Sequence, residues 1–251
     1  MNTTRQIQIR RPSHVVATEL RSMILRGDLD GTERLPSEPD FALQLGVSRY
    51  HLREALRLLE QDGLIEVRSG RNGGIFLTVP KVEVLTRTFA GILARQGTTL
   101  ADLFAARLVI EPAAAELAAT SVTEDELKAI AQTLERQEED GYNSQVNSLF
   151  HVQVAAGAHN HTLLLMMRSI ESIVQDIDLL ATQRSAAFGN GSARAHRAIM
   201  RALEARDGPS AKDLMTRHLV GFEATLEASG IDLQTLTVGA LMEAATPVTR
   251  A

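Results

Sequence analysis

The chain has no cysteine, so disulfides and thiolate metal sites are excluded, which suits a reducing cytoplasm. No apolar run approaches the ~20 residues of a membrane span, and residues 1–20 are too polar for a secretory signal, so no membrane partner is expected. A surplus of positive charge is also missing, since a net charge of −5 does not describe a surface coated for nucleic acid. There is no internal repeat, no low-complexity tract, no H-E-x-x-H zinc-protease signature, no nucleophile elbow and no phosphate loop. At 251 residues the chain suits two compact domains. Residues 1–80 hold 11 Arg against 10 Asp/Glu, and residues 81–251 hold 15 Lys/Arg against 21 Asp/Glu. Any contact with DNA must therefore come from local arginine placement and from pairing two chains, and the acidic half is not a DNA surface.

What the sequence does contain is concentrated in residues 35–76. Ser37 is a good N-cap, with Asp40 placed to return a bond to its backbone and Pro39 inside the first turn. Phe41, Ala42 and Leu45 form an apolar stripe, which Gly46 ends as a left-handed C-cap. Ser48 then caps a second helix, whose inner face carries Leu52, Ala55, Leu56 and Leu59 and which Gly63 stops. Two β-rich runs follow, 64–67 and 75–79, joined by the turn-forming stretch Ser69-Gly70-Arg71-Asn72-Gly73-Gly74. The order is that of a helix-turn-helix with a wing, whose second helix fits a DNA major groove.

Arg49, Arg53 and Arg57 recur every four residues and so share one face of that second helix. Alone, such a stripe would be the solvated side of a surface helix. Here it starts at the helix N-terminus after a tight turn, where side chains of this motif reach base edges, and arginine offers a two-pronged fork to guanine or phosphate. Tyr50 and His51 add donors on the same first turn, and Arg71 extends the set onto the wing.

These residues resemble the GntR family of bacterial transcription regulators. The matching pieces are Arg34-Leu35-Pro36-Ser37-Glu38, Val47-Ser48-Arg49, Leu52-Arg53-Glu54-Ala55-Leu56, Leu59-Glu60, Asp62-Gly63-Leu64 and the wing tip from Gly70 to Gly74. The resemblance implies that Ser48, Arg49, Tyr50, His51 and Arg53 lie at double-stranded DNA, with Ser69, Gly70 and Arg71 of the wing at the minor groove. Many members carry a basic residue just after the Ser-Glu pair; Pro39 stands there, so that backbone contact is absent or replaced by Arg34.

From residue 81 onward apolar residues return at helical period among Ala, Leu, Glu and Arg, which predicts helices near 82–96, 99–119, 123–138, 143–158, 161–187, 190–206, 208–228 and 231–244. Thr123 with Glu126 opens one of them, and Asn160 or Thr162 another. The expectation is a mainly α protein: a winged helix-turn-helix over 1–80, an all-helical antiparallel bundle over 81–230 for effector binding and dimerisation, and a tail over 231–251 with one short helix. The bundle's chemistry lies in its histidines. His151, with Asn147 one turn before it, His196 and His218 stand on three different helices, each beside an apolar stripe. Taken singly, each reads more readily as a satisfied core residue than as a ligand. Converging, they suit zinc, nickel, iron or manganese, with an amide oxygen as fourth donor. Arg107 falls near the core face of its helix and needs an anion, either a structural acid such as Glu111 or a ligand carboxylate.

Residues 84–228 look like the FCD effector domain of the FadR-like branch of GntR regulators. The match rests on Arg107-Leu108-Val109-Ile110-Glu111-Pro112 with Leu117-Ala118-Ala119, on Phe150-His151 with Asn160, on His196-Arg197-Ala198-Ile199 with Ala202-Leu203, and on Met215 with His218-Leu219. In that domain an Asp and three His hold a divalent metal, and an organic acid binds beside it. By that likeness His151, His196 and His218 are metal ligands, and Arg107 and Asn147 join them in holding the effector. Asn147 stands where the family's acidic ligand would be, and an amide brings no negative charge. Either the effector carboxylate completes the metal site or the histidines bind the acid directly.

The expected function is a cytoplasmic, homodimeric repressor that reads a pseudo-palindromic operator and responds to a small organic acid. The alternatives are a metal-dependent hydrolase, which would need a free carboxylate base beside the histidines where Asn147 stands, and an acyl-CoA sensor, which has no use for three buried histidines.

Overall fold

The computed structural model describes residues 12–29, 34–70, 73–78, 82–139, 141–185 and 191–245. The chain divides into two compact units, one ending at Val84 and the other starting at Leu85. In the first, α1 (Pro12–Arg26) is followed by β1 (Arg34–Leu35), α2 (Glu38–Leu45), α3 (Arg49–Gln61), β2 (Ile65–Arg68) and β3 (Gly74–Leu77). Gly46 ends α2 at φ +65°, a left-handed conformation that glycine adopts without a Cβ penalty. Two residues later the Ser48 hydroxyl oxygen accepts the His51 backbone N–H and opens α3. The capping box expected at Ser37 does not form. Ser37 occupies the N-cap, but its hydroxyl donates to the Asp40 carboxylate, so no side-chain bond reaches the first-turn amides. An ionised carboxylate only accepts, and here it takes the nearest hydroxyl.

The wing is larger than the sequence suggests. β3 is the centre of a three-stranded antiparallel sheet in the order β1-β3-β2, with Arg34 opposite Phe76 on one side and Arg68 opposite Gly74 on the other. Leu20 of α1, Phe41 of α2, Leu52, Leu56 and Leu59 of α3, and Leu35, Ile65 and Ile75 of the sheet close one core. The opposite face of α3 is left to solvent.

From Val82 onward the described chain is helical: α4 (Val82–Gln96), α5 (Leu100–Ser121), α6 (Glu124–Glu139), α7 (Ser144–Gly157), α8 (His161–Arg184), α9 (Ser192–Glu204), α10 (Gly208–Ala228) and α11 (Val238–Ala245). All but α11 begin and end within three residues of the periodicity-based expectation. Their starts are capped as the composition demands. Thr123 and Glu126 bond reciprocally, at 2.8 and 3.3 Å, and Asn160 Oδ1 accepts the N–H groups of Thr162 and Leu163. The stretch after residue 230, expected as a tail, buries Ile231, Leu233, Val238 and Leu241 in the bundle. Its backbone also serves α5: the carbonyls of Leu236 and Leu233 accept the otherwise orphaned N–H groups of Leu100 and Ala101.

Two main apolar cores share this unit, and α5 and α10 run through both. Leu100, Leu103 and Phe104 of α5 pack with Ile173, Val174 and Ile177 of α8 and with Phe222 and Leu226 of α10. Further along, Ala115 and Ala118 of α5 pack with Ile130 of α6, Phe150 of α7, Ile199 of α9 and Met215 and Leu219 of α10. Arg107 and Glu111 fall between these groups on α5, and His218 lies on α10 between Met215 and Leu219 of the second group, one turn before Phe222 of the first. The polar side chains therefore form a layer where one dry core gives way to the other.

Candidate functional site

On α3, Arg49, Arg53 and Arg57 are all exposed, as are Ser48 and Tyr50, and His51 is half-buried with its ring edge-on to Tyr50. The arginines differ in what holds them. Arg53 donates Nε and Nη2 to one Glu38 oxygen at 3.1 and 2.8 Å, which fixes its side chain back toward the start of α2. Arg57 pairs with Glu54 at 2.6 Å, and Arg49 has no polar partner among the described residues. At the wing, Ser69 and Gly70 are exposed, and Gly70 has φ +100°, which explains the glycine there. Arg71 lies outside the described residues. Arg34 does not reach freely into solvent: it donates to the Gly73 carbonyl, and its guanidinium lies where a Cβ on Gly74 would sit. It thereby props the wing tip from behind.

The three bundle histidines come together. His196 Nε2 lies 3.1 Å from His218 Nε2, which lies 3.3 Å from His151 Nε2. Each ring is set by its surroundings. His196 stacks on Phe150 with 3.9 Å between centroids, and its Nδ1 meets Gln137 Oε1 at 3.0 Å. His151 Nδ1 meets Glu111 Oε2 at 2.6 Å. A carboxylate only accepts, so His151 carries a proton on Nδ1; with Gln137 Oε1 accepting from His196, the Nε2 atoms of both rings are free to offer lone pairs to the centre. One proton can bridge one of the two Nε2 contacts, whereas one cation can take all three lone pairs. Nitrogens at roughly 2.1 Å from a common metal ion sit about 3.0–3.4 Å apart, so the observed spacing fits the group. Burial drives His218 down to about 3 and His196 well below the ordinary imidazole value, which keeps both neutral as ligands must be.

Behind His151 runs a buried ionic chain. Arg107 is 1% exposed, bonds Glu111 through Nε and Glu171 of α8 through Nη2 at 3.0 Å, and lies over the rings of Phe104 and Phe222. Both anions that this arginine requires are thus structural, and its Nη1 alone lacks a partner. Burial pushes Glu111 up, but Arg107 and then His151 outweigh it and hold the carboxyl at about 2. At Glu171 burial wins over Arg107, and the pKa is raised. Asp178, two turns further along α8, is pushed by burial to about 7 against the bond it accepts from the Tyr142 hydroxyl. His151 is raised, because Glu111 outweighs the burial that would lower it.

Asn147 is buried one turn before His151. Its Nδ2 donates to Asp178 at 3.2 Å, and its Oδ1 has no partner. The carboxyl group missing at position 147 is therefore found one hydrogen bond further out, at Asp178. Orphaned buried atoms also include Glu171 Oε2 and Asp178 Oδ1. The gap bounded by Glu111, His151, Met167 and Met215 is too narrow for a water molecule. Arg184 and Arg194 are exposed, and Arg184 donates to the Gly230 carbonyl.

Gln137, Glu171 and Asp178 escaped sequence reasoning, and Glu111 was seen only as a partner for Arg107. A free carboxylate base was not expected beside the histidines; the carboxylate that stands there, Glu111 on the Nδ1 side of His151, has both oxygens engaged. The available sign lay in α8: Met167, Ile170, Val174, Ile177 and Ala181 form its buried stripe, and Glu171 and Asp178 sit within it. An acid at a core position of an apolar stripe requires an explanation.

Comparison with known proteins agrees with both halves of this picture. A model for bacterial regulatory proteins of the gntR family matches residues 12–76, and one for the FCD domain matches residues 102–221. Over 228 residues the chain is 30% identical to an Escherichia coli protein named as a regulator of the L-lactate dehydrogenase operon, covering 87% of each. It is 30% identical over 175 residues to the Glc operon transcriptional activator of E. coli, covering 66% of this chain and 68% of that one. Among solved structures, Streptococcus agalactiae GntR superposes with a TM-score of 0.59 at 25% identity, covering 84% of this chain and 99% of that one. The chain belongs to the GntR family of bacterial transcription regulators, with a DNA-binding winged helix-turn-helix followed by an FCD domain.

Proposed function

We propose that this regulator is a cytoplasmic homodimeric repressor that releases its operator when a small organic acid binds in the bundle beside a divalent cation. The observation that carries the reading is the meeting of three imidazole nitrogens, from α7, α9 and α10, inside the FCD domain. His151, His196 and His218 would hold the cation, with Asn147 Oδ1 as the adjoining donor. Zinc, nickel, manganese and iron all accept such a set, and a bound cation would supply a Lewis-acidic anchor for a carboxylate. Arg107 Nη1 is an unpaired buried donor open to the acid. Because the gap at His151 does not admit even water, ligand entry must repack the surrounding helices. That repacking is the change passed to the DNA-reading unit, and its size is limited by the acid's preference for one arrangement over the other.

DNA reading falls to Arg49, Arg53, Tyr50 and His51 on α3, with Ser48 at its cap and Ser69, Gly70 and Arg71 at the wing. Arg34 contributes by holding the wing tip. Two such units are needed because one makes too few contacts for tight specific binding, which makes the operator a pseudo-palindrome. A metal-dependent hydrolase is disfavoured because Glu111 is bound through both oxygens and stands away from the Nε2 side. The relative named for an L-lactate dehydrogenase operon makes L-lactate the first acid to try.

The test is purification without chelators, elemental analysis, and a thermal-shift series with L-lactate, glycolate and succinate. About one divalent metal per chain and a melting temperature raised by one of these acids are expected, since a ligand of the folded state alone stabilises it. A metal-free protein unmoved by added zinc, nickel or manganese would remove the effector half of the proposal.

A further inference from the structure

Glu111 stands between the two halves of the proposed effector site. One oxygen accepts from Arg107 Nε, and the other accepts from His151 Nδ1 at 2.6 Å. All three residues are almost fully buried, so no water competes for those bonds. The far side of His151 is the Nε2 that faces His218 and His196, and the far side of Arg107 is the unpaired Nη1. An anion that takes Nη1 and a cation that takes Nε2 therefore sit at opposite ends of a single hydrogen-bonded chain.

From this arrangement we infer that Glu111 is a positioning residue that couples the two ligands: acid bound at Arg107 tightens cation binding at the histidines, and the cation tightens acid binding by the same factor. The inference rests on the effector site proposed above and adds its regulation. The physical cause is competition for one carboxylate. Arg107 draws charge from Glu111, and an anion on Nη1 weakens that hold, leaving Glu111 a stronger acceptor for the His151 N–H. A stronger bond at Nδ1 makes the imidazole a better donor at Nε2 and holds the ring in the ligating tautomer. Opposite charges at the two ends of the chain would also attract directly, and a substitution at Glu111 separates the two routes.

The experiment uses the full chain and Co²⁺ as metal probe, titrated against a chromophoric chelator with and without L-lactate, in the wild type and in Glu111→Gln. Glutamine keeps the side-chain volume and one acceptor oxygen but loses the charge shared by Arg107 and His151. In the wild type, lactate should tighten Co²⁺ binding by roughly fivefold or more, within the range typical of coupled sites. Glu111→Gln should bind Co²⁺ about 10–100-fold more weakly, shift the Co²⁺ visible absorption band, and lose most of the lactate effect. Unchanged affinity and an unchanged lactate factor in Glu111→Gln would overturn the inference while leaving the metal site intact. A wild type that binds both ligands without mutual effect would overturn it too, and needs no variant to fold. Failure of the wild type to bind Co²⁺ at all would sink the underlying site as well, so the two failures are told apart.

Discussion

The two units use their ionic side chains in opposite ways. On α3 the arginines are exposed and either unpaired, as Arg49 is, or held by half-buried acids, as Arg53 is by Glu38 and Arg57 by Glu54. Water and salt screen such pairs, so they exchange readily for another anion such as a phosphate or a guanine edge. In the FCD domain the ions are sealed away: Arg107, Glu111, Glu171 and Asp178 are each 2% exposed or less. There a charge cannot leave its partner without cost, so the ions form a fixed network whose few unpaired atoms face the interior. Under the proposed function, a weak pair suits a surface that must let go of its own acid to hold DNA, and a strong one suits a site that must stay assembled until a ligand enters.

The largest test of this contrast is Arg107→Met. It leaves Glu111 and Glu171 buried without their shared cation and should destabilise the FCD domain by about 3–5 kcal/mol in urea unfolding. A loss near that of a surface substitution would mean the network is far better hydrated than its burial implies. Arg53→Ala should lower affinity for a selected operator about tenfold with the urea transition unmoved, whereas Arg57→Ala, further along α3, should do less to DNA binding. Equal affinity for Arg53→Ala and wild type in a gel-shift titration would remove Arg53 from the reading surface.

Asp178 gives the most specific effect, because it is read in the pH dependence. Its folded pKa, about 7, lies above the ordinary 3.8, so the native state holds the proton longer than the unfolded chain does. The stability this provides is full below about pH 4 and is lost as pH rises toward 7, with a slope of about 1 kcal/mol per pH unit. Asp178→Asn removes the titrating group and can set its Nδ2 at the Oδ1 position that has no partner. Its stability profile should flatten between pH 4 and 7 and exceed that of the wild type at pH 8. A parallel pair of profiles would show Asp178 to be ionised throughout.

Much of this was legible in the sequence wherever local chemistry decides the outcome. Gly46, Ser48, Thr123 with Glu126, and Asn160 mark helix ends through bonds made within a few residues, and all four do so in the structure. The placement of three histidines beside apolar stripes made their convergence an open option, and stacking on Phe150 with bonds to Gln137 and Glu111 realises it. What stayed hidden depends on pairing across the chain. β1 has two residues, too few to show a period, and forms because Arg34 and Leu35 meet Phe76 and Ile75. Ser37 looked like a capping box until its hydroxyl found Asp40. The partners of Arg107 and Asn147 on α8 could not be assigned, since an acid within an apolar stripe does not say which opposing helix it faces.

The account depends most on a link between a carboxylic acid in the bundle and the grip of α3 on DNA. A duplex selected from a randomised pool by the full-length protein, labelled and titrated by fluorescence anisotropy, measures that link directly. With zinc and L-lactate or another stabilising acid present, affinity should fall about tenfold or more relative to zinc alone, and His196→Ala should bind the duplex but ignore the acid. An operator affinity that stays the same under every acid that stabilises the protein would contradict the account.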